Sequence, residues 1–150
     1  MDSVSKLYTV FTVDAVSLPA LKDTALGVVS TQTWSPDLDN DMNNKFVSDY
    51  KAAHGAYPSF YAAQAYDTMM AIDHAVRESG STDASAMRAV LAKGGIPTTR
   101  GTLAMNTNQF PIQNIYLREV VLDADGVATT KVIGTVFEDH SDAYASECKF

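Results

Sequence analysis

Hydrophobic and polar positions alternate differently in three parts of this chain. KLYTVFTVD at 6–14 is rich in β-branched and aromatic residues and alternates in part, which predicts a strand. SLPALKDTA follows as a short helix, with Ser17 at its N-cap and Pro19 in its first turn. LGVVSTQTW at 26–34 predicts a second strand, opened by Gly27 and closed by Pro36. Polar SPDLDND then leads into a helix that Asp39 or Asn40 can cap, with Met42, Phe46, Val47 and Tyr50 on one stripe and a stop at Gly55.

The next helix begins after Pro58, with Ser59 as its N-cap and Gly80 as its end. Ala62, Ala65, Met69, Ile72 and Val76 form its predicted apolar stripe, widened by Tyr66. Gln64, Asp67, His74 and Glu78 fall on the opposite, polar face. TDASAMRAVLAKGG predicts a third helix, capped by Thr82 or Asp83. From residue 96 the text turns to strands, and 114–139 reads as a β-hairpin with Asp125-Gly126 as its tight turn. SDAYASECKF predicts a short terminal helix or tail. The order is β-α-β-α-α-α-β-β-β, an α/β pattern poor in strands. Two early strands are too few for a parallel sheet covered on both faces.

Composition narrows the function classes. Of 150 residues, 46% are hydrophobic and 19% charged, a globular balance with enough length for a core. No apolar run approaches the roughly 20 residues that cross a bilayer. MDSVSKLYTV has neither a basic start nor an apolar core, so the expectation is no signal peptide in this chain. The net charge of −7, with basic residues scattered singly, speaks against nucleic acid. A lone Cys148 leaves no internal disulfide.

No motif carries catalysis. His54, His74 and His140 share no metal-ligand spacing, and no nucleophile elbow, P-loop or dinucleotide fingerprint is present. DLDND at 37–41 resembles a calcium loop only at first sight. It has no glycine at the sixth position and no glutamate at the twelfth, so it reads as cap and turn. No cofactor or metal is expected. What stands out is YPSFY at 57–61, three aromatics at the mouth of a helix. A helix N-terminus offers free N–H groups to a carboxylate, and a ring beside it offers an apolar wall. The same rings could equally staple the helix to the core.

Several stretches resemble one family in its own order: GVVSTQTWSPDLDN, KFVSDYKAAHGAYPSFYAAQAYDTMMAIDHAV, RGTLAMNTNQFPIQNIYLREVV and GTVFEDHSDAYASECKF. The chain resembles the C-terminal part of the substrate-binding proteins of branched-chain amino acid ABC transporters, of the Leu/Ile/Val-binding type with a type I periplasmic fold. The resemblance implies a non-enzymatic, periplasmic binding role for amino acids or small carboxylic acids, aromatic ones included, and an ABC permease as partner. It implies that 1–36 forms the end of a second-lobe segment and crossover, 37–110 a first-lobe helical segment, and 111–150 a C-terminal hairpin and tail.

The resemblance also puts Tyr61, with Phe60 beside it, against the ligand in the inter-lobe cleft. Asp14 is the nearest match to an acidic residue that holds a ligand ammonium, with Thr12 as its neighbour; the alternative for Asp14 is a cap on the short helix after it. Trp34 falls at a crossover and reads as hinge packing. The implied fold is an incomplete pair of type I lobes, completed by oligomerisation, because exposed strand edges and apolar helix faces recruit partners. The expected assembly is a homodimer. The alternative to a binding role is a truncated remnant that persists as a homo-oligomeric structural protein.

Overall fold

A computed structural model describes residues 6–148 of the chain. Twelve-residue β5 (Pro111–Leu122) is the strand on which the others assemble. β6 (Ala128–His140) runs antiparallel to it from Gln113 to Leu122. On the opposite edge, β2 (Val29–Gln32) pairs antiparallel with Tyr116–Glu119, and β1 (Tyr8–Val10) adds a parallel strand outside β2. β4 (Gly101–Met105) pairs with the start of β5 at Pro111 and Ile112, and β3 (Ile96–Thr98) pairs antiparallel with β4. One six-stranded sheet results. It is mixed: the early strand text joins the late hairpin instead of forming a parallel sheet of its own.

The first two strands are shorter than their apolar runs. Phe11 takes φ of +56°, a left-handed value that a bulky residue adopts only under constraint, and it ends β1. The hairpin also differs from the expected two-residue turn. Five residues, 123–127, join β5 to β6, and Gly126 supplies the φ of +78° there. Asp123 explains the longer loop, since its Oδ1 accepts the amides of Asp125 and Val127 at 3.0 and 2.8 Å. The reading of the chain start as leaderless falls partly on 1–5, and the tail reading ends on 149–150; both stretches lie outside the described residues. Of the tail, Ala145–Glu147 forms a 3₁₀ turn.

Among the described residues, four α-helices accompany the sheet: α1 (Leu18–Leu21), α2 (Asp41–His54), α3 (Phe60–Ser79) and α4 (Ala84–Leu91). The starts of α2, α3 and α4 follow the capping residues, whereas Ser17, expected to cap α1, makes no side-chain bond to that helix. Asn40 accepts the Asn43 amide, Ser59 the Ala62 amide, and Asp83 the Ser85 and Ala86 amides. α2 and α3 each stop at a left-handed glycine, Gly55 and Gly80.

The face of α3 is a correction to the sequence pattern. Phe60, Ala63, Asp67 and Ala75 are its buried residues, whereas Ala65, Met69 and Ile72 are exposed. Asp67, assigned to the polar face, is only 4% exposed. Its two oxygens accept the Thr99 amide at 2.7 Å and Arg100 Nε at 3.0 Å, on the turn between β3 and β4. A paired, hydrogen-bonded carboxylate can be buried where an unpaired one cannot. Hydropathy counts Asp67 as polar and so misplaces the stripe.

Two apolar cores result. Val13, Leu18, Ala25 and Val120 pack an aliphatic one between α1 and the end of β5. Trp34, Phe46, Phe60 and Ala63 pack an aromatic one between α2 and α3. Trp34 is the hub of the second. Its Nε1–H donates to Asn43 Oδ1 at 2.8 Å, and Asn43 Nδ2 donates to the carbonyls of Ser35, Pro36 and Leu38. The indole edge meets Phe46 with centroids 6.3 Å apart.

Candidate functional site at the start of helix α3

Pro58 holds the chain extended and Ser59 turns it into α3, so three rings leave the backbone in different directions. Phe60 turns inward and packs on Phe11, with centroids 5.9 Å apart. Tyr61 turns outward and is 63% exposed, its ring edge-on to Phe60 at 5.7 Å. Tyr57 points back toward the hairpin, where its hydroxyl donates to Asp123 Oδ2 at 2.9 Å and Lys51 Nζ sits 4.0 Å from its ring centroid. Among these rings, then, one packs, one lies open and one is tied to a carboxylate.

Asp14 comes to the same place from 46 residues upstream. Its Oδ2 accepts the amide of Phe60, the first residue of α3, at 2.9 Å. Its Oδ1 accepts the Val16 amide at 2.9 Å, and its carbonyl accepts the amides of Ser17 and Leu18. Asp14 therefore organises its own turn and also caps a distant helix, where the helix dipole favours a carboxylate. The amides that the pattern offered to a ligand carboxylate are partly taken, by Asp14 on Phe60 and by Ser59 on Ala62. Thr12 is exposed, and its carbonyl accepts the Ser17 hydroxyl at 3.1 Å. Trp34 is sealed in the aromatic core.

One of the concave surfaces reaches this site through Tyr57, and others lie away from it. A depression of about 420 Å³ is lined by Ala15, Leu18, Lys22, Tyr57, Leu122 and Val127. A second, of about 390 Å³, lies over α3 and the β3–β4 pair and includes Asp67, Arg100 and Leu103. Tyr61, Phe60 and Thr12 line neither. Asp14 and Tyr57 share a narrow crevice with Trp34 and Thr130. Pattern reading grouped Tyr57 with the other two rings and gave it no ligand role of its own. The available signal was Pro58, which fixes the preceding residue in extended backbone and so aims its ring.

The acidic run at 37–41 is spent on structure. Asp37 accepts the Val132 amide at 3.0 Å and the Ser35 hydroxyl at 2.5 Å, and Asn40 caps α2. Among the described residues, no group of three or more His, Cys, Asp or Glu side chains converges on a metal position. No described helix is long and apolar enough to cross a membrane.

Comparison with known proteins places this geometry in a family. The family model described as periplasmic binding protein matches residues 2–126. A Leu/Ile/Val-binding protein homolog from Brucella abortus is 38% identical over 130 residues, which cover 83% of this chain and 33% of that protein. The chain thus spans about a third of the length of the curated relatives it matches. A solute-binding protein of an ABC transporter from R. palustris, solved with benzoate, superposes with a TM-score of 0.77 at 28% identity, over 92% of this chain and 37% of that one. A second such protein, from Rhodopseudomonas palustris BisB5 and solved with 3,4-dihydroxybenzoic acid, gives 0.77 and 28% over 87% and 36%. A leucine-, isoleucine-, valine-, threonine- and alanine-binding protein from Brucella ovis, at 16% identity and a TM-score of 0.72, shares the fold. The open sheet and flanking helices are an incomplete form of the type I periplasmic-binding architecture. The chain belongs to the periplasmic binding protein family, a family of solute-binding proteins and not of enzymes.

Proposed function

We propose that this chain forms part of the ligand-binding apparatus of an ABC uptake system for amino acids or small carboxylic acids, aromatic ones included. In this reading it works in the periplasm and passes its ligand to an ABC permease. Residues 1–36 serve as the end of one lobe and a crossover, 37–110 as part of the other lobe, and 111–150 as the returning hairpin and tail. Tyr61 and Phe60 supply the aromatic wall, Asp14 the acidic group for a ligand ammonium, and Thr12 a neighbouring polar contact. The observation that carries the reading is the Asp14 carboxylate on the Phe60 amide, which brings the candidate acid and the candidate wall together across 46 residues of chain. Solved relatives that bind benzoates support the aromatic part of the ligand class.

Isothermal titration with benzoate, 4-hydroxybenzoate, leucine and valine tests the reading. Saturable heat with at least one of them is expected, and silence with all four would end it for this chain.

The alternative is a remnant without binding that persists as a homo-oligomer. It draws on Leu7, Tyr8, Val10 and Phe11, which are exposed along the outer strand β1. In either case a homodimer that covers β1 is our expectation. Sedimentation at low micromolar concentration checks it, and a cooperatively melting monomer there would refute it.

A further inference from the structure

Arg118 lies midway along β5 and is fully buried, at 0% exposure. Among the described residues, its hydrogen bonds all go to neutral acceptors. Nη1 donates to the Trp34 carbonyl at 3.1 Å and the Thr130 hydroxyl at 3.4 Å. Nη2 donates to the Val13 carbonyl at 3.3 Å and the Ser30 hydroxyl at 3.2 Å. Nε has no partner, and no ion pair among the described residues includes this side chain. Burial draws the guanidinium down to about 10, and Asp14 and Asp37 oppose that drop through their fields. An apolar side chain would fill the space at no desolvation cost.

The acceptors suggest what the charge is for. Val13 immediately precedes Asp14, whose carboxylate holds the first amide of α3. Trp34 immediately precedes Ser35, whose hydroxyl donates to Asp37. The planar fork reaches both carbonyls at once, which a lysine cannot do. The segment it holds includes Phe11 in its left-handed conformation, a strained state that persists only where its surroundings over-determine it.

The geometry points to Arg118 as a positioning residue for the ligand wall: its fork fixes the backbone at Val13, so that Asp14 stays on the Phe60 amide and the rings of Phe11, Phe60 and Tyr61 keep one arrangement. The word "ligand" rests on the function proposed above; the positioning does not.

Amide hydrogen exchange on the whole chain separates the two. In Arg118→Met, Phe60 amide protection is expected to fall about tenfold, the equivalent of one lost hydrogen bond, relative to the Ala75 amide in the middle of the same helix. Arg118→Lys, which keeps the charge but not the fork, is expected to leave the Phe60 amide similarly fast. Ser30→Ala removes one acceptor of Nη2 and gives a milder version of the same local loss, which decides the matter if Arg118→Met does not fold. Equal acceleration at Phe60 and Ala75, full recovery with lysine, or an unchanged Phe60 amide in Ser30→Ala would each reduce Arg118 to a packing residue. In titrations with benzoate and leucine, whichever the wild type binds should bind Arg118→Lys at least about tenfold more weakly, and equal affinity would sever the wall from Arg118. If the wild type binds neither, the ligand reading fails, and the exchange result still decides the positioning.

Discussion

Two arginines, one part-buried and one fully buried, are accommodated in opposite ways. Arg100 closes on Asp67 at 3.0 Å and on the Gln113 side-chain oxygen, at the junction of α3 with the β3–β4 turn. Among the described residues, Arg118 meets only carbonyls and hydroxyls, at the junction of β5 with β2, β6 and the turn before α1. The first is a local neutralisation: each charge answers the other, and the Asp67 carboxylate also satisfies the Thr99 amide. The second is a convergence, in which one cation collects four segments and its charge is balanced at a distance. A direct pair binds two elements strongly and says little about anything else. A fork shared among carbonyls sets the relative position of several segments, at a standing desolvation cost.

Breaking the direct pair should have the largest effect. Asp67→Ala leaves the part-buried Arg100 without its counter-charge and strands the Thr99 amide. A loss of about 3–5 kcal/mol is expected in urea denaturation. A loss under about 1 kcal/mol would mean that the pair is solvated in solution and that the contrast with Arg118 is overstated.

Next comes the neutral hub of the aromatic core. Asn43→Ala unpairs the Trp34 indole N–H and the Pro36 carbonyl, while the carbonyls of Ser35 and Leu38 keep the amides of Leu38 and Asn40, and about 1–3 kcal/mol should be lost. Near-UV circular dichroism should lose the Trp34 signal in the same variant. Retention of that signal would place the burden of holding Trp34 on its apolar neighbours Phe46, Phe60 and Ala63.

A smaller effect belongs to the hairpin tip, where the carboxylate of Asp123 is part-buried. The Val127 amide, helped by the Tyr57 hydroxyl and the Asp125 amide, holds Asp123 below its ordinary 3.8. A depressed acid contributes stability that is fully present above its unfolded value and is lost as pH falls through the lower folded one. The 123–127 loop should therefore keep its Val127 amide shift constant from neutral pH down to about pH 4 and lose it only below that. A midpoint at or above the ordinary 3.8 would show that these hydrogen bonds are not made in solution.

Tyr61 should matter least to stability. With 63% of its surface in water, Tyr61→Ala is expected to change unfolding free energy by less than about 0.5 kcal/mol. If a ligand binds, the same substitution should weaken it by about 1–3 kcal/mol. A large stability loss with unchanged affinity would return Tyr61 to a structural role.

Much of the secondary structure was legible because its signals are local. Ser59, Asn40 and Asp83 cap helices, and Gly55 and Gly80 end them, where the residue types predict. The family was legible for a related reason, since its motifs occur as uninterrupted stretches of text. The site was legible in parts: Asp14 and the rings could be picked out singly, but their contact could not. Periodicity failed on α3, because it ranks Asp67 by polarity while burial depends on whether Arg100 and Thr99 are there to meet it. It failed on the hairpin turn as well, where Asp123 recruits the amides of a five-residue loop that Asp125-Gly126 alone would close in two.

The sequence by itself determined the capped helices, the late hairpin and the family, since each rests on neighbouring residues or on contiguous motifs. Tertiary structure alone decided that β2 lies against β5, that Asp14 caps a helix 46 residues away, and that Arg118 gathers Val13, Ser30, Trp34 and Thr130. Those contacts are made between segments far apart in the chain. A buried polar group must find its partner wherever the fold brings one, and no local pattern records where that will be.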